Sequence, residues 1–197
     1  MILIASIALI LGIAVGTFLS PETILLFSKI ASVVLLALMF SVGISIGMDK
    51  LIFRKMKEMH LKVLVIPFGI VVGSLLGGAV CSIILGDSLR DGLGISAGLG
   101  WYSLSGVIVT DLAGARLGSI CFLASLFREI FSFLLIPIVA KYTNKYTVIA
   151  PAAATSEDTT LPLIMKHSGE EVVIMSVING IICSALVPIL INMIYSF

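Results

Sequence analysis

Residues 117–140 read LGSICFLASLFREIFSFLLIPIVA, a stretch long enough to cross a bilayer as one helix, with Arg128 and Glu129 close to its centre. Roughly twenty predominantly apolar residues span the hydrocarbon as helix. A charged side chain at that depth costs about 2.5 to 3.5 kcal/mol on insertion scales, so it faces a partner or a pathway and not lipid. Adjacent helix positions point about a third of a turn apart, so this pair does not neutralise itself face to face. Each charge needs something elsewhere in the chain. One resolution is a structural ion pair, Arg128 with Asp158 or Asp111; the other is a cavity that a ligand enters.

The remaining sequence is that of a membrane protein. Of its 197 residues, 59% are hydrophobic and 12% charged, and the mean hydropathy of +1.23 lies far above that of soluble domains. A net charge of +1 provides no basic field for a nucleic acid, and no nucleic-acid partner is expected. Cys81, Cys121 and Cys183 stand singly inside apolar runs and read as small hydrophobes, without zinc or redox spacing. His60 and His167 lie far apart in loops, so neither a metal site nor a cofactor is expected. No Gly-x-Ser-x-Gly or His-Glu-x-x-His pattern occurs, which argues against an intramembrane enzyme. The opening MILIASIALILGIAVGTFLS lacks the basic start and cleavage pattern of a signal peptide and is expected to remain as a span.

Four further segments reach spanning length without difficulty: 2–19, 30–48, 62–86 and 172–195. The loop DKLIFRKMKEMHLK, 49–62, holds Lys50, Arg54, Lys55, Lys57 and Lys62 against Asp49 and Glu58, which places it in the cytoplasm. Segment 62–86 then runs outward, and GDSLRDG at 86–92 lies outside. Two stretches, 92–115 and 150–166, are moderately apolar and rich in Gly, Ser, Thr or Pro, and read as discontinuous. If each enters and leaves on one side, Lys141 and Lys145 fall in the cytoplasm, in keeping with the positive-inside rule. The competing arrangement, seven full spans, leaves both lysines outside. The expectation is therefore an all-α integral membrane protein, a polytopic helical transporter with about five full spans and two broken or re-entrant segments. It forms a single membrane domain over 1–197 in a bacterial or archaeal cytoplasmic (inner) membrane.

Broken helices persist in lipid only where protein buries them or a watery cavity receives them, and in secondary transporters such breaks mark the substrate site. In GLGISAGLGWYSLSGVIVTDLAGARLG, 92–118, Gly98 and Gly100 allow an unwound turn, and Trp101, Tyr102, Ser103 and Ser105 follow it with hydroxyls and carbonyls for a ligand. In APAAATSEDTTLP, 150–162, Pro151 and Pro162 bound a stretch whose Thr155, Ser156, Thr159 and Thr160 cap a half-helix or line a pore, beside Glu157 and Asp158. Glu129 and Asp158 are the acids expected to converge on one cavity, where desolvated carboxyls exchange protons. A scaffold whose charges only set helix packing is the bland alternative. The Gly-containing runs at 38–48 and 69–78 read as close-packing surfaces and not as a repeat.

The run GLGWYSLSGVIVTDLAGARLGSICFLASLFREI, then APAAATSEDTTLP, then SALVPILI, resembles the bacterial lysine exporter family LysO, in the same order and over nearly the whole chain. The resemblance implies export of L-lysine and toxic lysine analogues such as thialysine, in exchange for protons. It matches Glu129 and Asp158 to the family's intramembrane acids. Lysine's two ammonium groups and one carboxylate suit two acids plus one anion-attracting element, either Arg128 or the half-helix start near Gly100 to Ser103. Two departures stand out: Glu157 replaces a commonly apolar residue before Asp158, and longer members carry about a hundred further N-terminal residues. A separate small membrane subunit, or a homodimer, would then complete the spans. Another basic amino acid, a small diamine, or a non-transporting subunit role are the alternatives that the sequence leaves open.

Overall fold

The computed structural model describes residues 64–196 continuously, together with scattered positions between Ile7 and Met48. The chain divides into two compact units, Met1–Lys50 and Leu51–Phe197. Apart from those scattered positions, the expected spans 2–19 and 30–48 and the cytoplasmic loop 49–62 lie outside the described residues. In the first unit, every described position from Glu22 to Met48 is helical.

The second unit carries three helices long and apolar enough to cross a membrane: α1 (Val65–Leu85), α4 (Ala115–Tyr142) and α6 (Val173–Ser196), the last preceded by the 3-10 turn Glu170–Val172. They coincide with the spans expected at 62–86, 117–140 and 172–195. Between them lie the shorter helices α2 (Leu89–Ser96), α3 (Tyr102–Ala113) and α5 (Leu161–Ser168), with 3-10 turns at Thr147–Ile149 and Ala153–Glu157. Among the described residues no strand occurs. The all-helical membrane architecture expected from composition is the one present.

Side-chain contacts fix the directions. In α1 and α2, Gly78 faces Gly92 and Ser96 while Ser82 faces Gly92, so the two helices run antiparallel after the Gly86 cap. Ile95 meets Cys121, and Gly98 meets Ser125, so α2 runs parallel to α4. Gly106 and Thr110 face Gly118, so α3 runs antiparallel to α4 and joins it through the single residue Gly114. Thus α2 and α3 form a hairpin that enters and leaves on the face where α1 ends, here called the first face.

The second broken stretch is its inverted counterpart. Lys145 pairs with Glu171 where α4 has ended and α6 begins, at the second face. Further in, Ala153 and Ser156 meet Asn179, and Glu157 meets Gly180 and Ser184, so the chain climbs alongside α6. It then returns through α5 to Gly169. An apolar core of Val148, Ile149 and Ala152 against Ile136, Ile164, Val172, Met175 and Ile178 seats this hairpin between α4 and α6. Van der Waals fit holds such packing in a bilayer, where lipid is as apolar as the helices themselves.

Two oppositely directed hairpins make a labelling pattern that two crossing segments would not. In a cysteine-free background, single cysteines at Asp87 and Arg116 are expected to react with an impermeant maleimide from one side of the membrane. Cysteines at Asn144 and Glu170 are expected to react only from the other. Reaction of Asp87 and Arg116 from opposite sides would refute the re-entrant arrangement.

Candidate functional site

The hairpin tips meet. The amide of Ala154, on the second hairpin, donates to the carbonyl of Leu99, on the first, at 3.1 Å. Both tips hold non-glycine residues in left-handed backbone, Leu99 at φ 46° and Ala153 at φ 51°, each costing about 1 to 2 kcal/mol. Gly100 follows at φ 93°, where a side chain would be strained, and lets the chain turn from α2 into α3. Strain retained at the point of contact between two broken segments marks a place held by its surroundings.

The hydroxyl residues singled out in the sequence largely serve this broken backbone. Ser105 Oγ donates to Trp101 O at 2.9 Å, Thr155 Oγ1 to Ala152 O at 2.9 Å, and Thr160 Oγ1 to Thr155 O at 2.8 Å. Ser156 Oγ lies 2.8 Å from both Ala153 O and Ser176 O and accepts from Asn179 Nδ2 at 3.0 Å. Carbonyls freed by the breaks are thereby paired inside the protein, as a bilayer requires. Ser103, by contrast, is exposed, and Trp101 is half-buried beside the first tip.

Glu129 is 1% exposed, and among the described residues neither of its carboxylate oxygens has a hydrogen-bond partner. The Thr159 hydroxyl faces it from the second hairpin without closing a hydrogen bond. Asp158 on the same tip, exposed, and Tyr102 at the start of α3, edge-on to Phe122 with ring centroids 5.4 Å apart, are within electrostatic reach. A buried, unpaired carboxyl is costly, and in native proteins such a group marks a functional requirement or a missing partner.

Arg128 points elsewhere. Its Nη1 donates to Ser74 Oγ on α1 at 2.8 Å and its Nε to Pro151 O at 3.4 Å. The ion pair with Asp158 or Asp111 considered from sequence does not form among the described residues. The guanidinium is committed to neutral acceptors on α1 and the second hairpin, while Asp111 lies exposed near the far end of α3. Two cavities meet at Arg128. One, of about 580 Å³, runs from Asp87, Asp91 and Arg116 at the first face to Gly100 and Arg128. The other, of about 540 Å³, runs from Val65 and Asn144 at the second face past Gly73 and Ser74 to Arg128. Neither Glu129 nor Asp158 lines these two cavities.

Glu157 turns toward α6, where its Oε1 accepts from Ser184 Oγ at 2.8 Å. A Cβ on Gly180 would lie 2.5 Å from Glu157 Cβ and 2.7 Å from its backbone nitrogen, so only glycine admits this approach. Ser176, Asn179, Gly180, Cys183 and Ser184 form one face of α6 against the second hairpin, and sequence reading gave none of them a place in the site. Their spacing at i, i+3, i+4, i+7 and i+8 was the available signal. Ser74 was likewise missed, since nothing local distinguishes it from a packing serine.

Opposed re-entrant hairpins meeting between spanning helices, with an acid at the junction that has no hydrogen-bond partner among the described residues, define a polytopic helical membrane protein. The chain belongs to the lysine exporter LysO family, whose family model matches residues 6–195. It is 33% identical over 186 residues to "Lysine exporter LysO" of Escherichia coli (strain K12), covering 92% of this chain and 60% of that protein. It is 36% identical over 166 residues to a protein named "Putative lysine exporter" of Haemophilus influenzae (strain ATCC 51907 / DSM 11121 / KW20 / Rd), covering 83% of each. The chain thus spans less than two thirds of the length of the first relative. No solved structure matches it.

The Gly180 contact yields a stability test. Gly180→Ala is expected to force the second hairpin off α6 and to cost about 1 to 3 kcal/mol, read as a lowered midpoint of thermal unfolding in detergent. Gly69→Ala, where a Cβ would meet nothing within 4 Å, is expected to leave the midpoint unchanged.

Proposed function

We propose that this chain exports L-lysine, and lysine analogues of the same charge such as thialysine, from the cytoplasm across the inner membrane in exchange for protons. The observation that carries this reading is Glu129, a buried carboxyl without a hydrogen-bond partner among the described residues, at the junction of two opposed hairpins. The names of the related proteins supply the substrate. The second face carries Lys141, Lys145 and Lys166, and the first carries Arg90 and Arg116, so the excess of basic residues that the positive-inside rule counts favours the second face as cytoplasmic.

In this mechanism Glu129 alternates between a proton and an ammonium group. Cytoplasmic lysine enters the second-face cavity. The tips part at the Ala154 to Leu99 hydrogen bond, and an ammonium group displaces the proton from Glu129. Asp158, on the moving tip, guides the second ammonium group. The strained backbone at Leu99 and Ala153 makes the joined and parted states closer in energy than a relaxed contact would. Reprotonation of Glu129 from the outer side releases lysine and resets the hairpins.

The test is uptake of labelled L-lysine into inside-out vesicles with an acidic lumen. Wild type is expected to accumulate lysine only while the proton gradient stands. Glu129→Gln is expected to lower the initial rate by about tenfold or more at equal abundance, and Asp158→Asn to lower it less. Gradient-independent uptake would remove proton exchange, and wild-type rates in Glu129→Gln would remove Glu129 from the mechanism.

A further inference from the structure

Arg128 lines both cavities, from the first face and from the second, and it is the basic side chain common to the two. A guanidinium has five N–H donors. Nε and one hydrogen of Nη1 go to Pro151 O and Ser74 Oγ, both uncharged; among the described residues, Nη2 and the remaining Nη1 hydrogen have no acceptor. The unoccupied donors form the planar fork that pairs with a carboxylate through two parallel hydrogen bonds. Glu129, the next residue, leaves Arg128 and turns into the tip junction, so α4 presents a cation acceptor and an anion acceptor in different directions from one turn of helix. An amino acid with a cationic side chain matches that separation of charge. A diamine lacks the group that Arg128 would receive.

We propose that Arg128 is the subsite for the α-carboxylate of the transported amino acid, positioned where the pathways from the two faces meet. This deepens the reading above and rests on it. The carboxylate takes the unoccupied donors, while the contacts to Ser74 and Pro151 hold the guanidinium in place between α1 and the second hairpin. Because the same guanidinium is reached from both sides, the carboxylate stays on one anchor while the hairpins change which cavity is open.

Trp101 is the only tryptophan in the chain, and it follows Gly100, which sits against the Arg128 side chain. Its fluorescence in the full chain, held in lipid nanodiscs, reports ligands at this position. The probes are L-lysine, L-lysinamide and 1,5-diaminopentane, the last two keeping the ammonium groups but lacking the carboxylate. Wild type is expected to bind L-lysine about tenfold or more tightly than either analogue. Arg128→Gln is expected to weaken L-lysine to the level of the analogues while leaving 1,5-diaminopentane unchanged, and Arg128→Lys to restore part of the difference. Equal affinity of wild type for all three probes would overturn the Arg128 subsite while leaving a cationic substrate in place. An unchanged preference for lysine in Arg128→Gln would overturn it equally. Failure of every probe to bind folded wild type would instead overturn the transport reading beneath it. The wild-type comparison decides the matter even where Arg128→Gln does not fold.

Discussion

The hydrogen bond from Ala154 N to Leu99 O joins two pieces of chain that each stop short of crossing the membrane. Hydrocarbon gives no partner to a free amide or carbonyl, so a helix that breaks at that depth must find its partners in protein. Here each broken end finds them in the other, and in the hydroxyls around it. That requirement explains the concentration of Ser and Thr at 155–160, the face of small polar residues on α6, and the seating of both hairpins against α4. Either hairpin alone would leave unpaired backbone groups in lipid.

The helix α4 gains its importance from the same geometry. It contacts the first hairpin along its N-terminal half and the second along its C-terminal half, and its charged pair lies where the two contacts change over. Successive residues on a helix diverge in direction, so Arg128 and Glu129 serve different surroundings: Arg128 bridges α1 and the start of the second hairpin, while Glu129 closes into the tip junction. Neither charge compensates the other. A protein that only needed a stable bundle would gain from replacing both with apolar residues, since burying them without mutual pairing costs more than it returns.

The contact between α6 and the second hairpin shows how closely the backbone has been fitted. Gly180 admits Glu157 at a distance no side chain would tolerate, and Ser184 takes up its carboxylate. Glu157 is thereby turned away from the two cavities that meet at Arg128. Its place is on the inner wall of the hairpin, where it ties the tip to α6.

Much of this was legible in the sequence, because membrane hydrocarbon imposes rules that act on local composition. Length and hydropathy determined the spans at 62–86, 117–140 and 172–195, and clusters of Gly, Pro and hydroxyl residues located both breaks. The cost of charge at midplane singled out Arg128 and Glu129 before any contact was known. The motifs themselves identified the family. What only the tertiary structure decided is pairing across long separations in the chain: that Leu99 and Ala154 meet, that Arg128 takes Ser74 and Pro151 in place of Asp158 or Asp111, and that most of the candidate hydroxyls are engaged by backbone carbonyls. The physical reason is that composition sets how deep a residue lies in the bilayer, whereas the direction a side chain faces depends on which helices pack beside it. That choice is made by small-residue contacts such as Gly180 with Glu157, whose partners lie far apart in the chain.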